Sequence, residues 1–210
     1  MSTNCPLCNG TGTLHYQKSN KTYFKCTNCS SVYIDKSNYL DYDEERERYL
    51  EHNNDVNDAG YQNFVKPIID VVTNRFTSPC VGLDFGAGTG PVISKILREK
   101  GYTMFEYDPY FHNYPELLVN SYDFIVCCEV IEHFNNPRKE FYQLRSMLNP
   151  GGELICMTDL YTEKVNFEKW YYKNDPTHVF FYHPNSVEYI AKEFDFAAFD
   201  QNDRLIRFVK

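Results

Sequence analysis

Four cysteines near the start of the chain have the residue type and spacing of a metal site. They form two Cys-x-x-Cys pairs, Cys5/Cys8 and Cys26/Cys29, which are separated by 17 residues. Thiolates at this spacing are typical of a zinc ribbon, in which a hairpin brings the two pairs together. Disulfides or a redox dithiol are the alternatives, and a cytoplasmic chain disfavours disulfides. Because all four ligands are cysteines, we expect the zinc to be structural and not catalytic.

A second chemical feature is the glycine-rich turn Gly86-Ala87-Gly88-Thr89-Gly90. It follows an apolar run, residues 81–85, that predicts a buried strand. An amphipathic helix follows, with Gly90 as N-cap, Pro91 at its first position and Gly101 as its stop. This layout lets a nucleotide-like ligand lie against bare backbone amides and a helix N-terminus. A plain tight turn is the alternative.

Acidic and imidazole side chains mark two further strand ends. Asp108 ends the next predicted strand, residues 102–107, where an acidic residue commonly accepts hydrogen bonds from ribose hydroxyls. Glu129, Glu132 and His133 follow a later strand, and in a helical turn they would share one face. They could hold magnesium or manganese, with His178 as a fourth ligand. Alternatively, His133 caps a helix or packs in a pocket.

Length and charge limit the possible functions. The 210 residues are enough for one α/β domain and a small appendage. A net charge of −8 disfavours general attraction to nucleic acid. No apolar run approaches the roughly 18 residues of a membrane span, and residues 1–10 carry no secretory signal pattern. We therefore expect a cytoplasmic protein that does not bind membranes.

The rest of the chain predicts the elements that position these residues. Residues 39–78 indicate a helical connector, whose central polar patch is either a turn or a lid over the site. Strands are predicted at residues 123–128 and 153–157, on either side of a helix that starts at Asn136, and a closing hairpin at residues 195–209. Alternating strands and helices predict a mostly parallel sheet with an antiparallel edge.

Four motifs together resemble class I S-adenosylmethionine-dependent methyltransferases. They are residues 81–90 (VGLDFGAGTG), 106–109 (EYDP), 128–133 (CEVIEH) and 148–152 (LNPGG), in the expected order. The chain looks most like a small bacterial subgroup with an N-terminal zinc ribbon, related to ubiquinone-biosynthesis O-methyltransferases. Residues 52–55, 170–172 and 175–182 extend the resemblance over nearly the whole chain. The segment after Asp108, which normally supplies adenine contacts, is shortened here.

The resemblance implies an α/β fold with a Rossmann-like, seven-stranded sheet, mostly parallel with an antiparallel last strand. The zinc ribbon would occupy residues 1–38, the connector or lid residues 39–78, and the methyltransferase domain residues 79–210. Asp84 would orient the glycine turn, Asp108 would bind the ribose, and the end of the third strand would lie beside the sulfonium. The full implied set of cofactor-binding residues is Asp84, Gly86, Ala87, Gly88, Gly90, Asp108, Cys128 and Glu129.

The implied activity is methyl transfer from S-adenosylmethionine to a small molecule, with a hydroxyl oxygen favoured. A sulfonium methyl is already activated, so the enzyme must hold the acceptor in line and, for a hydroxyl, remove a proton. Glu129, His133 and His178 are the catalytic candidates, and His52 is a further possible base. Residues 170–172, Trp-Tyr-Tyr, either roof the acceptor pocket or pack in the core.

Two alternatives stay open at this point. Similar Glu-x-x-Glu-His arrangements bind metal in ubiquinone-pathway O-methyltransferases and small-RNA 2′-O-methyltransferases, so transfer to a catechol-like or ribose hydroxyl could be metal-assisted. The ribbon could instead dock a protein or RNA, which would make the chain a modifier of a macromolecule or a binding module. The acidic charge argues against RNA, and the intact glycine turn argues against a vestigial site.

Overall fold

The computed structural model describes residues 4–51 and 54–210, so His52, named above as a possible base, lies outside the described residues. The strands are β1 (Gly12–Lys18), β2 (Lys21–Cys26), β3 (Val32–Ile34), β4 (Val81–Phe85), β5 (Thr103–Tyr107), β6 (Tyr122–Cys128), β7 (Leu148–Met157), β8 (Phe180–Phe181), β9 (Ala198–Asn202) and β10 (Leu205–Val209). The α-helices are α1 (Tyr42–Leu50), α2 (Ala59–Arg75), α3 (Val92–Glu99), α4 (Pro137–Ser146) and α5 (Pro184–Glu193).

The main sheet has six strands in the order β5-β4-β6-β7-β10-β9. The pairs from β5 to β7 are parallel, whereas β10 runs antiparallel to both of its neighbours. The predicted mostly parallel α/β sheet with an antiparallel last strand is therefore confirmed, but the expected count of seven strands is wrong. Residues 110–121 form a 3-10 helix, Pro115–Val119, and no strand, because the segment is too short for a full crossover.

Successive side chains along each strand point to opposite faces of this sheet, and apolar side chains form a core on each face. One face packs against α2 and α3 through Ile68, Val72 and Leu97. The opposite face packs against α4 and α5, with Phe141 among its fully buried side chains. Inside the sheet, β6 is almost entirely buried, as expected for a central parallel strand covered on both faces.

A second sheet contains the N-terminal segment. It has the order β1-β2-β3-β8, and β1 and β2 form the predicted hairpin between the two cysteine pairs. Its last strand, β8, comes from the C-terminal half of the chain. The same hydrophobic cluster contains Leu7 and Val32 from this segment and Phe208 from β10. The boundary between the ribbon and the connector at residue 38 stays a prediction.

Residues 39–78 contain α1 and α2, as the helical pattern predicted. Asp41 starts α1 with a capping box, in which Glu44 bonds back to the Asp41 backbone. The valine and isoleucine stripe of α2 faces the sheet and α3. Among the described residues, no helix is long and apolar enough to cross a membrane.

Candidate active site

A cleft of about 860 Å³ opens at the carboxyl ends of β4, β5 and β6. Its walls include the glycine turn, Asp108 and His178, and residues of α1 lie on its other side. Ligands of open parallel sheets bind at this edge, where loops from several strands meet. The volume falls in the range of roughly 300–1,000 Å³ that is usual for small-molecule sites. The cleft therefore has room for a cofactor and an acceptor together.

Glycine is required at three positions of the turn. Gly86 and Gly88 have φ angles of 81° and 59°, which other residues rarely adopt. A Cβ on Gly86 would lie 2.4 Å from Val130, and one on Gly90 would lie 1.8 Å from the backbone oxygen of Asn54. A Cβ on Gly88 would meet only Asn54, at 3.6 Å. Gly88 thus leaves open space on the cleft side, as a bound ligand needs.

The turn is held against its neighbours by Asp84 and Asp108. Asp84 accepts a hydrogen bond from the Ser94 hydroxyl at 3.1 Å, which joins β4 to α3. Burial raises the pKa of Asp84 to about 7. Asp108 accepts hydrogen bonds from the backbone N–H groups of Gly88 at 3.0 Å, Tyr110 at 2.8 Å and Phe111 at 3.1 Å. Asp108 therefore fixes the turn to the end of β5.

The helix after the turn starts one residue later than predicted. Pro91 is the N-cap of α3 and Val92 its first residue, whereas we expected Gly90 as the cap. The Val92 N–H bonds to the Gly90 carbonyl, so the chain is still turning at Gly90. Ala87, within the turn, is buried and lines the cleft, whereas Gly90 is buried behind the turn and does not line it.

Glu129 takes an unusual conformation directly after β6. Its φ angle is 52°, and its N–H bonds to the Met157 carbonyl at 2.9 Å. One carboxylate oxygen lies 2.7 Å from Arg204, whereas the other is buried and has no hydrogen-bond partner among the described residues. Burial and the charge of Glu132 raise the pKa of Glu129 to about 8, although Arg204 opposes the shift. Cys128 lines the cleft beside it.

Three side chains come together beside the cleft: those of Glu132, His133 and His178. One ligand atom from each of the three lies within 4.8 Å of the others, and Glu129 is not part of this group. The predicted turn is a 3-10 helix over Ile131–His133 that excludes Glu129, which explains the separation. Glu132 is fully buried and accepts hydrogen bonds from Thr158 at 3.1 Å and from Tyr172. Burial raises its pKa to about 7.

Backbone carbonyls fix the tautomers of both histidines. His133 Nδ1 lies 3.0 Å from the Thr177 oxygen, and His178 Nδ1 lies 2.7 Å from the Tyr172 oxygen. A carbonyl can only accept, so each Nδ1 carries the proton and each neutral ring keeps a lone pair on Nε2. His178 Nε2 lies 4.0 Å from a Glu132 oxygen. Burial lowers the pKa of His133, which keeps that ring neutral.

Helix α1 closes the cleft from the other side. Arg48 forms an ion pair with Asp175 at 2.7 Å, and Glu45 accepts a hydrogen bond from Tyr110. The Tyr49 ring meets His133 edge-on, with centroids 5.4 Å apart.

Sequence reasoning missed Glu45, Arg48 and Arg204. The first two lie in a charged stretch that predicts a solvated helix face; the partner Asp175, inside the 175–182 motif, was the available signal.

The aromatic run Trp170–Tyr172 divides between the two expected roles. Trp170 packs against Phe181 and Phe167 in the core and does not line the cleft. Tyr172 is buried, but its hydroxyl reaches Glu132 and, at 3.2 Å, Glu129. Tyr171 is exposed and lines the cleft.

The four N-terminal cysteines also converge. The Cys5 and Cys29 sulfurs lie 3.7 Å apart, those of Cys8 and Cys26 lie 3.3 Å apart, and all four fall within 4.8 Å. A tetrahedral zinc with bonds of about 2.3 Å separates its sulfurs by roughly 3.8 Å. The Gly10 N–H points at Cys8 Sγ, at 3.4 Å. The four cysteines therefore fit a zinc ion.

Comparison with known proteins gives one family. Residues 41–201 match the family model of a methyltransferase domain. A search of curated proteins finds no match. Among solved structures, 1,6-didemethyltoxoflavin-N1-methyltransferase of Burkholderia thailandensis, with 1,6-didemethyltoxoflavin and S-adenosylhomocysteine bound, is 12% identical with a TM-score of 0.55. The match covers 94% of this chain and 98% of that one.

Two other matches are longer proteins. An O-methyltransferase family protein from Burkholderia thailandensis is 11% identical with a TM-score of 0.53, over 79% of this chain and 61% of that one. A methyltransferase of calicheamicin biosynthesis is 12% identical with a TM-score of 0.51, over 71% and 54%. This chain therefore spans little more than half the length of these two relatives. At such identities the likeness concerns the fold.

Proposed function

The chain belongs to the methyltransferase-domain family, and we propose that it transfers the methyl group of S-adenosylmethionine to a hydroxyl oxygen of a small molecule. The family match and the fold both agree with the resemblance to class I methyltransferases. Because the chain belongs to this family, it is an enzyme. The choice of acceptor is the proposed part. One observation carries it: His133 and His178 line the same cleft as the glycine turn.

The residues of the cleft fit the cofactor. Gly88 leaves bare backbone toward the cleft, and Asp108 holds a carboxylate at the end of β5, where ribose hydroxyls could donate to it. The buried Glu129 oxygen that has no partner among the described residues suits the ammonium group of the cofactor. The residues that we assign to contact with the cofactor all line the cleft: Gly86, Ala87, Gly88, Asp108, Cys128 and Glu129. Asp84 and Gly90 do not line it, and we assign them to shaping the turn. When bound, the cofactor supplies a methyl group already activated by its sulfonium.

A histidine then supports oxygen as the acceptor atom. A hydroxyl must lose its proton as the methyl group arrives, and a neutral imidazole can take it at Nε2. The carbonyls of Thr177 and Tyr172 hold His133 and His178 in the tautomer that accepts at Nε2. Glu132, beside His178, would stabilise the imidazolium that forms. Helix α1, whose residues line the other side of the cleft, would help to exclude water from it.

A divalent cation at the same atoms is the second candidate. Two imidazole nitrogens and a carboxylate oxygen converge within 4.8 Å, and two histidines with one carboxylate form a common metal-binding set. Such an ion would polarise the acceptor oxygen in place of a base. Glu132, His133 and His178 would hold it, without Glu129.

Manganese titration followed by electron paramagnetic resonance separates these two candidates without a known acceptor. Under the cation candidate, the chain binds manganese and His178→Gln loses it. The matched control is His15→Gln, which lies among Tyr161 and Phe167 on the ribbon side and should bind normally. Under the base candidate, neither the wild-type chain nor the variants bind the ion above background.

We also propose that Cys5, Cys8, Cys26 and Cys29 hold a structural zinc. Their spacing and the convergence of their sulfurs support it. A protein partner on the ribbon stays a further proposal, and so does modification of a macromolecule. Pull-down of methylated protein or RNA, in place of a methylated small molecule, would favour the macromolecular acceptor.

A further inference from the structure

The short strand β8 is where the ribbon sheet and the candidate site meet. β3 pairs with β8 through Val32 with Phe181 and Tyr33 with Phe180. The ladder continues with a hydrogen bond from the Ile34 N–H to the Val179 carbonyl at 3.0 Å. His178 immediately precedes Val179 in the chain. The last bond from the ribbon therefore falls one residue from an imidazole of the site.

The opposite edge of this segment is bound to the site itself. The Val179 N–H donates to the Glu132 carbonyl at 3.0 Å, and His133 Nδ1 donates to the Thr177 carbonyl at 3.0 Å. Within the part of the chain that the structure describes, β3 is the strand partner of β8. Residues 177–179 thus lie between the ribbon on one side and the Ile131–His133 turn on the other.

The cysteine cluster connects directly to β3. Cys26 is the last residue of β2, and its N–H bonds to the Ser31 carbonyl at 2.9 Å, which closes the turn before β3. Cys29 and Val32 are 1% and 0% exposed, so this turn is part of the core and not a surface appendage. A metal that joins buried ligands stabilises the backbone around them, and its loss releases that stabilisation.

We propose that the ribbon is a positioning element of the acceptor site: zinc holds β3, and β3 holds residues 177–179 so that His178 and His133 face the cleft together. This inference rests on the proposed function of that site. The glycine turn and Asp108 depend on the pairing of β4 with β5 and β6, on the other side of the cleft. Loss of zinc therefore loosens the acceptor side and spares the cofactor side.

The test compares the full-length zinc protein with the same protein after removal of zinc by a mercurial reagent and EDTA. We expect amide exchange at Val179, Phe180 and Phe181 to rise roughly 100-fold or more. The imidazole resonances of His178 should shift. Calorimetry with S-adenosylhomocysteine should give a Kd within about 3-fold of the zinc protein, because the cofactor side keeps its strand pairing. A Kd ratio of that size corresponds to less than about 1 kcal/mol.

A second variant keeps the proposal testable should the metal-free protein unfold. Ile34→Pro keeps all four cysteines and deletes the N–H that bonds to Val179, so it should raise exchange at the same amides while zinc content stays normal. Leu14→Ala, exposed on β1, is the matched control and should change nothing.

Unchanged protection of residues 179–181 after zinc removal overturns the inference and favours a docking role for the ribbon. Equal loss of cofactor binding and of protection also overturns it, because the ribbon would then support the whole fold. A zinc protein that binds no S-adenosylhomocysteine refutes the proposed function instead, whatever the exchange data show.

Discussion

Asp108 allows the role of the cofactor side to be tested with a single atom change. One carboxylate oxygen accepts from Gly88 N–H, and the other accepts from the N–H groups of Tyr110 and Phe111. In Asp108→Asn, the amide oxygen can keep the second pair, but the amide NH₂ then faces the Gly88 N–H. The turn loses its anchor, and the ribose loses a charged acceptor.

The binding cost follows from these contacts. A hydrogen bond to a charged acceptor contributes about 1.5–3 kcal/mol, so we expect the Kd for S-adenosylhomocysteine to rise about 10- to 150-fold. Isothermal titration calorimetry at constant pH measures it. The stability cost of the unpaired Gly88 N–H should appear separately, as a Tm several degrees lower.

Asp123→Asn is the matched control for this prediction. Asp123 also accepts a backbone hydrogen bond, from Val81 at 2.9 Å, and a second from Asn149 at 2.8 Å, but at the opposite end of the sheet. It should lower the Tm by a similar amount and leave the Kd unchanged. Equal Kd values for Asp108→Asn, Asp123→Asn and wild type would refute the assignment of Asp108 to the cofactor.

Two further predictions concern the cysteines and a buried acid. Elemental analysis should find one zinc per chain, and Cys26→Ser should lower both zinc content and Tm; a metal-free chain of equal Tm would contradict the ribbon. Burial raises the pKa of Asp84 to about 7, from about 3.9 in the unfolded chain. Protonated Asp84 therefore contributes fully to the free energy of unfolding below pH 4, and this contribution is lost as the pH rises to 7. The loss is on the order of 4 kcal/mol, and Asp84→Asn should remove it. Thermal melts from pH 5 to 8 should therefore be flatter for the variant, and parallel curves would refute this role of burial.

Local chemistry in this chain could be predicted from the sequence because it depends on neighbouring residues. The Cys-x-x-Cys turns, the glycine turn and the Asn136 start of α4 are all determined within a few positions. The hairpin β1–β2 follows from the same short-range signals. The mostly parallel pairing of the main sheet also followed, because the predicted strands alternate with helices that can serve as crossovers.

Long-range contacts could not be predicted in the same way. Arg204, in the turn between β9 and β10, reaches Glu129 across 75 positions, and no local pattern marks it. The strand β8 has only two residues, too few for any periodicity, yet it joins the ribbon to the site. The left-handed φ of Glu129 separates it from Glu132 and His133, which helical spacing had placed together.

The strand count failed for a related reason. A seventh strand was expected from the family resemblance, whereas the chain itself offers only residues 110–121 for a helix and a strand. Those residues form one 3-10 helix, and β5 becomes the edge of the sheet. Segment length, read from the residues alone, was the better guide here.

The most direct test of the central claim is to follow a labelled methyl group. Purified protein is incubated with ¹³C-methyl S-adenosylmethionine and a fractionated metabolite extract, and the labelled product is examined by mass spectrometry and NMR. We predict a small-molecule product whose labelled methyl has the chemical shift of an O-methyl group, and loss of this product in His133→Gln/His178→Gln but not in His15→Gln. A label on nitrogen or carbon, or a product that persists in the double variant, would contradict the account.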